Sequence, residues 1–291
     1  GPAIVVCDGS TTLIEPGWRG TRLDDGSLLL NQMEMPQNQN DTNVLDPIQL
    51  EIFNHRFMAI AEQMGAVLER TAHSINIKER LDFSCALFDA HGQLVANAPH
   101  MPVHLGSMGE TVQALIHQGA RFAPGTAFAH NDPYDGGTHL PDVTVVMPVF
   151  GPASQGSPIA YVASRGHHAD IGGITPGSMP AHSAHIKEEG CVFSAVQILS
   201  DGVFDEAGVH AVLAAGPHRA RSPNTNIADL KAQVAACDTG AKALNALAAQ
   251  TSTDTLSRYM SYIQDNAETV VQRLLKQLSG GKARHSLEDI G

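Results

Sequence analysis

The chain has 291 residues, 43% of them hydrophobic and 16% charged, which is enough for a real core in one large or two modest domains and unlike a disordered or collagen-like polymer. Thirty acidic side chains against 18 basic ones give a net charge of -12 with no basic stripe, a balance that repels a phosphate backbone and excludes nucleic acid as the expected partner. No apolar run approaches the ~20 residues that cross a bilayer, so no membrane partner is expected. The start, Gly1-Pro2-Ala3-Ile4, has neither an initiator Met nor the basic region of a signal peptide, so the cytoplasm is the expected location.

Residues 1–32 alternate short apolar runs with turn signals: Ala3 to Cys7, a turn at Asp8-Gly9, Thr11 to Ile14, then Pro16-Gly17-Trp18 and a second hairpin turn at Asp25-Gly26 before Leu28 to Leu30. Residues 33–45, with Pro36-Gln37-Asn38-Gln39-Asn40, read as a linker. A second domain is expected over 46–291. It opens on Asp46-Pro47-Ile48-Gln49, an N-cap followed by Pro at the first helical position. Phe53, Phe57, Ile60, Met64 and Val67 then recur at steps of four and three, which predicts a long amphipathic helix. Phe83 to Phe88 and Gln93 to Ala96 flank Asp89-Ala90-His91-Gly92 and predict a hairpin. Ser107-Met108-Gly109-Glu110 has the capping-box pattern and predicts a helix start there.

From 124 to about 200, Gly and Pro punctuate short buried strands such as Val143 to Val146 and Ile159 to Ala163. Two helices follow, one striped by Ile227, Leu230, Val234, Cys237, Ala241, Leu244 and Leu247. The other carries Leu256, Met260, Ile263, Ala267, Val271, Leu274 and Leu278, and both stripes are expected to be core. The fold class is therefore α+β, with long amphipathic helices and a Gly-rich β region after a short β segment. The four cysteines, Cys7, Cys85, Cys191 and Cys237, form no CxxC pair and read as buried thiols.

Histidine marks where chemistry is expected, since nine of the 15 fall between His100 and His185. The polar loop from His130 to Asp142 places His139 three residues before Asp142, close enough for an imidazole nitrogen and a carboxylate oxygen to converge on one divalent cation. If the strands that Asp142 opens and His167 closes are paired, His167 completes a His, Asp, His set. That donor set suits zinc, manganese or ferrous iron, with His168 the competing third ligand. The same residues beside glycines also serve as loop-stabilising hydrogen-bonders, and a lone HxxD does not separate the two. Asp132, His104 and Asp170 are the candidate catalytic side chains, with Asp170 placed to accept from a ligand imidazole. A buried His bonded to backbone is the plain alternative for His104. His182, His185 and Lys187-Glu188-Glu189 read as loop and turn residues. Arg165 lies on the same strand face as His167. There is no GxxxxGK[ST], GxGxxG after a strand or GxSxG, so neither a nucleotide loop nor a serine elbow is predicted within the chain.

Several of these segments together resemble the hydantoinase B family, the domain shared by 5-oxoprolinases, N-methylhydantoinases and the acetone and acetophenone carboxylases. The resemblance is carried by Asp46-Pro47, Glu79 to Cys85, Pro102 to Met108, Asn131 to Asp142, His167 to Gly173, Pro176 to Pro180 and Arg221-Ser222-Pro223 leading to Asp229 to Gln233. Residues 1–32 are similar to the last strands of the hydantoinase A partner, and Ser286 to Asp289 to a point where the family continues, so the resemblance implies a fragment of a fused protein. It implies ATP-dependent opening of 5-oxo-L-proline to L-glutamate, with ATP and magnesium handled in a hydantoinase A-like part outside this chain and a homo-oligomer of the whole protein. Its metal site, transferred by position, falls on His139, Asp142 and His167, and the small ring carboxylate of such a substrate implies a facing cation, for which Arg165 and Arg80, beside Asp82, are the candidates, with a structural salt bridge the plain alternative for both. An N-methylhydantoinase, a carboxylase subunit and a non-enzymatic docking module are the other classes implied.

Overall fold

Four short strands form two separate hairpins at the start of the chain, β1 (Ala3–Cys7) with β2 (Ser10–Ile14) and β3 (Trp18–Arg22) with β4 (Leu28–Gln32). The turn expected at Asp25-Gly26 is there: Gly26 has φ 84°, and Asp25 Oδ1 accepts from the N–H of Ser27 at 2.9 Å. The structure is a computed structural model that describes residues 3–7, 10–15, 17–33, 45–98, 101–151, 154, 156–278, 280–282 and 284. The turn at Asp8-Gly9, the core of the linker and Ser286 to Asp289 lie outside the described residues. The chain divides into two compact units, Gly1–Asp46 and Pro47–Gly291.

The second unit is built on a seven-stranded antiparallel sheet. Its strands are β5 (Phe83–Asp89), β6 (Leu94–Asn97), β7 (Ala127–His130), β8 (Asp142–Val149), β9 (Ala160–His167), β10 (Val196–Ser200) and β11 (Val203–Phe204), in the spatial order β11-β10-β7-β8-β9-β5-β6. Because side chains alternate along a strand, each central strand feeds two cores. On one face Cys85, Leu87, Val143, Val145 and Val162 pack against the long helices α1 (Pro47–Thr71) and α5 (Pro223–Thr251). On the other Ala86, Phe88, Val146, Tyr161 and Ala163 meet Met108, Val112 and Leu115 of α3 (Pro102–His117). A four-residue turn, α2 (Ile75–Lys78), α4 (Glu206–Leu213) and α6 (Thr253–Gln277) complete the unit.

The period of α1 reads directly into burial, with Phe53, Phe57, Ile60, Met64 and Leu68 all in the core. Three expectations need correction. Helix α3 begins at Pro102, five residues before the capping-box pattern, because proline already sits at its first position. Ser107 is a mid-helix residue whose hydroxyl donates to His104 O at 3.2 Å. In α6, Leu256 and Met260 are buried, whereas Val271, Leu274 and Leu278 are exposed, since that helix runs on beyond the face that covers its first turns. Cys7 is exposed, and only Cys85, Cys191 and Cys237 are buried. No helix among the described residues is long and apolar enough to cross a membrane.

Candidate metal centre

The α3 face of the sheet changes character along the strands. In the rows formed by β5, β9 and β8, Ala86, Ala163 and Val146 lie together, then Ser84, Arg165 and Thr144. The next row is Asp82, His167 and Asp142: Asp142 pairs with His167, and the N–H of His167 donates to Asp82 O at 3.0 Å. A run of apolar, then hydroxylic, then ionisable pairs therefore ends in two carboxylates flanking an imidazole. The loop before β8 adds a second imidazole, whose ring centroid lies 5.0 Å from that of His167 at a tilt of 44°. His139, Asp142 and His167 each offer a ligand atom within 4.8 Å of the others, the separation that donors to one ion at ~2.0–2.2 Å require.

Asp142 is the hub. His167 Nδ1–H donates to its Oδ1 at 3.0 Å; the Thr138 hydroxyl donates to Oδ2 at 3.0 Å, with His139 Nδ1 at 3.2 Å and His104 Nε2 at 3.4 Å from the same oxygen. Burial pushes the Asp142 carboxyl up, but hydrogen bonds from His104, His139 and His167 hold it well below the usual carboxylate range. Burial lowers the pKa of His167, but its hydrogen bond to Asp142 and the charges of Asp142 and Asp82 outweigh this and leave it raised. The exposures fit an opening at this edge, with side chains 35% exposed at His139, 17% at His167 and 3% at Asp142. The residues thus fit a divalent cation by chemistry as well as by spacing, with a fixed anionic oxygen between two imidazoles and one open side.

His104 is not a backbone-bonded core residue. It is buried near the start of α3, with Nδ1 3.1 Å from Ser84 Oγ and Nε2 facing Asp142 and, at 3.7 Å, Asp82. A proton on Nε2 satisfies both partners, so His104 positions Asp142 from behind. The ligand competition between His167 and His168 has a geometric answer: His168 turns to the opposite face of the sheet and sits fully buried between Gln233 Oε1 and Asn226 Nδ2, at 3.1 Å from each.

Three other candidates lie elsewhere. Asp170 is not an acceptor for a ligand imidazole, because its oxygens take the N–H groups of Gly172, Gly177 and Arg221 and the Arg221 guanidinium at 2.7 Å. It staples the loop after β9, where Gly172 has φ 100° and a Cβ would meet the carbonyl of His218. Asp132 likewise folds its own loop, with Oδ1 accepting from Tyr134 N–H at 3.0 Å and its carbonyl from Gly137 N–H at 2.8 Å. Arg165 shares the face of His167 as expected, but its side chain is wholly buried. Nε donates to Thr144 Oγ1 at 2.8 Å, Nη2 to Thr111 Oγ1 at 2.9 Å and Nη1 to Ser107 Oγ, so a substrate carboxylate would have to displace three hydroxyls to reach it. His182 and His185 are exposed and outside the set.

Asp82, Ser84 and Thr138 are the members that the sequence pattern does not single out. The signal for Asp82 is its place immediately ahead of the apolar strand β5, much as Asp142 opens β8, and it follows Leu81, a non-glycine residue at φ 56°.

Comparison with known proteins agrees with this architecture. The 5-oxoprolinase 1 of Arabidopsis thaliana is 45% identical over 289 residues, covering 96% of this chain and 23% of that protein. The 5-oxoprolinase of Dictyostelium discoideum is 44% identical over 280 residues, covering 96% and 22%. The chain therefore spans less than a quarter of these relatives' length. The crystal structure of an ATP-dependent caprolactamase from Pseudomonas jessenii superposes with a TM-score of 0.72 at 27% identity, over 82% of this chain and 40% of that one. The family model for hydantoinase B/oxoprolinase matches residues 46–291, and the chain belongs to that family.

Proposed function

We propose that this chain supplies the metal-centred part of an ATP-dependent 5-oxoprolinase, which opens 5-oxo-L-proline to L-glutamate. The observation that carries the reading is the convergence of His139, Asp142 and His167 in a chain 45% identical to a 5-oxoprolinase. A lactam is a poor electrophile. Phosphorylation of its oxygen by ATP, in a hydantoinase A-like part with magnesium, turns that oxygen into a leaving group. One water then adds at the ring carbon, the C–N bond breaks and the ring nitrogen leaves as the amine, which leaves an acyl phosphate; a second water adds to that carbonyl and expels phosphate, giving the side-chain carboxylate of glutamate.

Within the chain, His139, Asp142 and His167 would hold a divalent cation of the zinc, manganese or iron type, which when bound supplies Lewis-acid polarisation at the reacting carbonyl carbon's oxygen. His104 and Thr138 keep Asp142 ionised and oriented. Asp82, a quarter exposed and 3.9 Å from His167 Nδ1, takes up the proton released as water attacks. The whole protein tests this: incubation with 5-oxoproline and ATP yields glutamate and phosphate, and His139→Ala abolishes both. Carboxylation of a neutral ketone by the intact protein, with no lactam turnover, would reject the hydrolase reading.

A further inference from the structure

A polar stripe runs along α3 beside its apolar one. His104, Ser107 and Thr111 recur at steps of three and four, the repeat that keeps residues on one side of a helix, next to Met108, Val112 and Leu115. His104 Nε2 faces Asp142, and Ser107 Oγ accepts from Arg165 Nη1. Thr111, wholly buried, reaches a different element: the loop that carries His139. Arg165 Nη2 donates to Thr111 Oγ1 at 2.9 Å, and a guanidinium can only donate, so the hydroxyl hydrogen is free for an acceptor of its own. Two carbonyls compete for it, Ser107 O at 3.4 Å within the helix and Gly136 O of the loop, and Gly136 O is the closer.

The carbonyl before it, Asp135 O, is held from the sheet side. His130 is wholly buried at the end of β7, with Nε2 2.6 Å from Asp135 O and with Nδ1 accepting from the Ala195 N–H at 3.2 Å. A carbonyl only accepts and an amide N–H only donates, so these bonds assign the ring hydrogen to Nε2 and leave Nδ1 bare. Two successive loop carbonyls are thus gripped by buried side chains from two elements. The backbone fits as closely. Gly136 has φ 81°, and a Cβ there would stand 2.7 Å from Glu110 O; one on Gly137 would stand 2.5 Å from Asp132 O. Thr138, whose hydroxyl donates to Asp142 Oδ2, and His139 follow directly.

We propose that Thr111 and His130 are positioning residues for the metal centre: they register the loop so that Thr138 and His139 meet Asp142, and thereby set the affinity and geometry of the cation site without touching the cation. The proposal rests on the reading of His139, Asp142 and His167 as that centre. Side chains that hold metal ligands in place are worth about 10–100-fold in metal affinity, the range expected here. With His104 on Asp142 and Thr111 on the His139 loop, α3 is the common reference against which both are placed.

Cobalt(II) bound to the intact protein is the probe, read by competition with a chelator and by its visible absorption band, which follows ligand geometry. Thr111→Val keeps the side chain's shape and removes the hydroxyl; it weakens the His139-dependent binding by about tenfold or more and alters the band, whereas Thr111→Ser stays within about threefold of wild type with the band unaltered. His130→Gln, whose amide can still donate to Asp135 O, binds cobalt about tenfold more tightly than His130→Leu, and this second pair decides the matter if Thr111→Val does not fold. Wild-type affinity and band in Thr111→Val, a Ser variant as impaired as the Val one, or equal affinities in the His130 pair overturns the proposal. The two readings fail separately. Cobalt binding that is absent from wild type, or indifferent to His139→Ala, removes the metal centre and the positioning role with it; His139-dependent binding that Thr111→Val leaves unmoved removes the positioning role alone.

Discussion

His167 and His168 leave the same strand in opposite directions, and the two faces of the sheet use imidazole in opposite ways. On the α3 face His167 lies between two carboxylates near an open edge, and its pKa is raised above the ordinary histidine value despite burial. On the α5 face His168 is buried between two neutral amides, and burial lowers its pKa, with Asp229 only partly offsetting the shift. One face concentrates charge where solvent enters; the other uses the same side chain to close a hydrogen-bond network between sheet and helix. The lesson is that strand alternation, a period of two, decides which of two adjacent histidines can serve a cation.

The largest effects should come from the first face. Asp142→Ala removes the one anionic ligand and is expected to abolish bound metal and lower activity of the whole protein by more than ~100-fold, the upper range for merely outer partners. Elemental analysis checks it, and metal kept at wild-type stoichiometry would dissolve the contrast between the faces. Asp142 is buried at the first position of β8 and is not a free loop residue, so circular dichroism should accompany the measurement. His139→Ala, at a more exposed loop position, should lose metal with little change in stability. The mirror experiment is His168→Ala, which strips Gln233 Oε1 of its donor and opens a cavity. It should cost about 2–4 kcal/mol in chemical denaturation while metal stoichiometry stays intact.

Much of this contrast is legible in the order of the residues alone. The HxxD spacing and the His167 strand end predict the metal set because the donors are local to two strands that pair antiparallel. The α1, α5 and early α6 stripes are legible because helical burial repeats within one segment. What stays hidden depends on contacts distant in sequence. Ser84 and His104 meet only when α3 packs on β5, and Arg165 is sealed because Ser107 and Thr111 arrive from the same helix. The start of α3 is not where the Ser-x-x-Glu pattern puts it because that pattern inside a helix looks like one at its end. Strand β7 and helix α4 are short and sit among glycines and prolines, where periodicity has too few residues to register.

Arg165 sharpens the comparison further, since it lies on the α3 face one row inside the metal set. Burial brings its pKa down to about 10, with the charge of Asp142 opposing that shift, so it remains a cation at neutral pH. Arg165→Met should destabilise the protein by about 1.5–3 kcal/mol through lost charged hydrogen bonds while leaving the KM for substrate within about twofold. A tenfold rise in KM at unchanged stability would instead return the substrate carboxylate to this residue.

The smallest effect, and the most direct comparison of the faces, is the pH dependence of the metal-free protein. His167 has its pKa raised by folding, so its contribution is fully present below the unfolded value of ~6.5 and is lost as pH rises through the folded value. His168 has its pKa lowered, so the unfolded chain binds the proton more tightly and stability grows as pH rises through the same window. Asp142 is depressed, and its contribution is complete above ~3.9 and lost only on acidification below that, outside this window. In wild type the two histidine slopes oppose each other. With chelator present, His167→Gln should leave a stability that rises between about pH 5.5 and 7.5, and His168→Gln one that falls, each by less than ~1.4 kcal/mol per pH unit. Urea midpoints across that range read the sign directly, and slopes of the same sign in both variants would mean that the two faces do not treat their histidines differently.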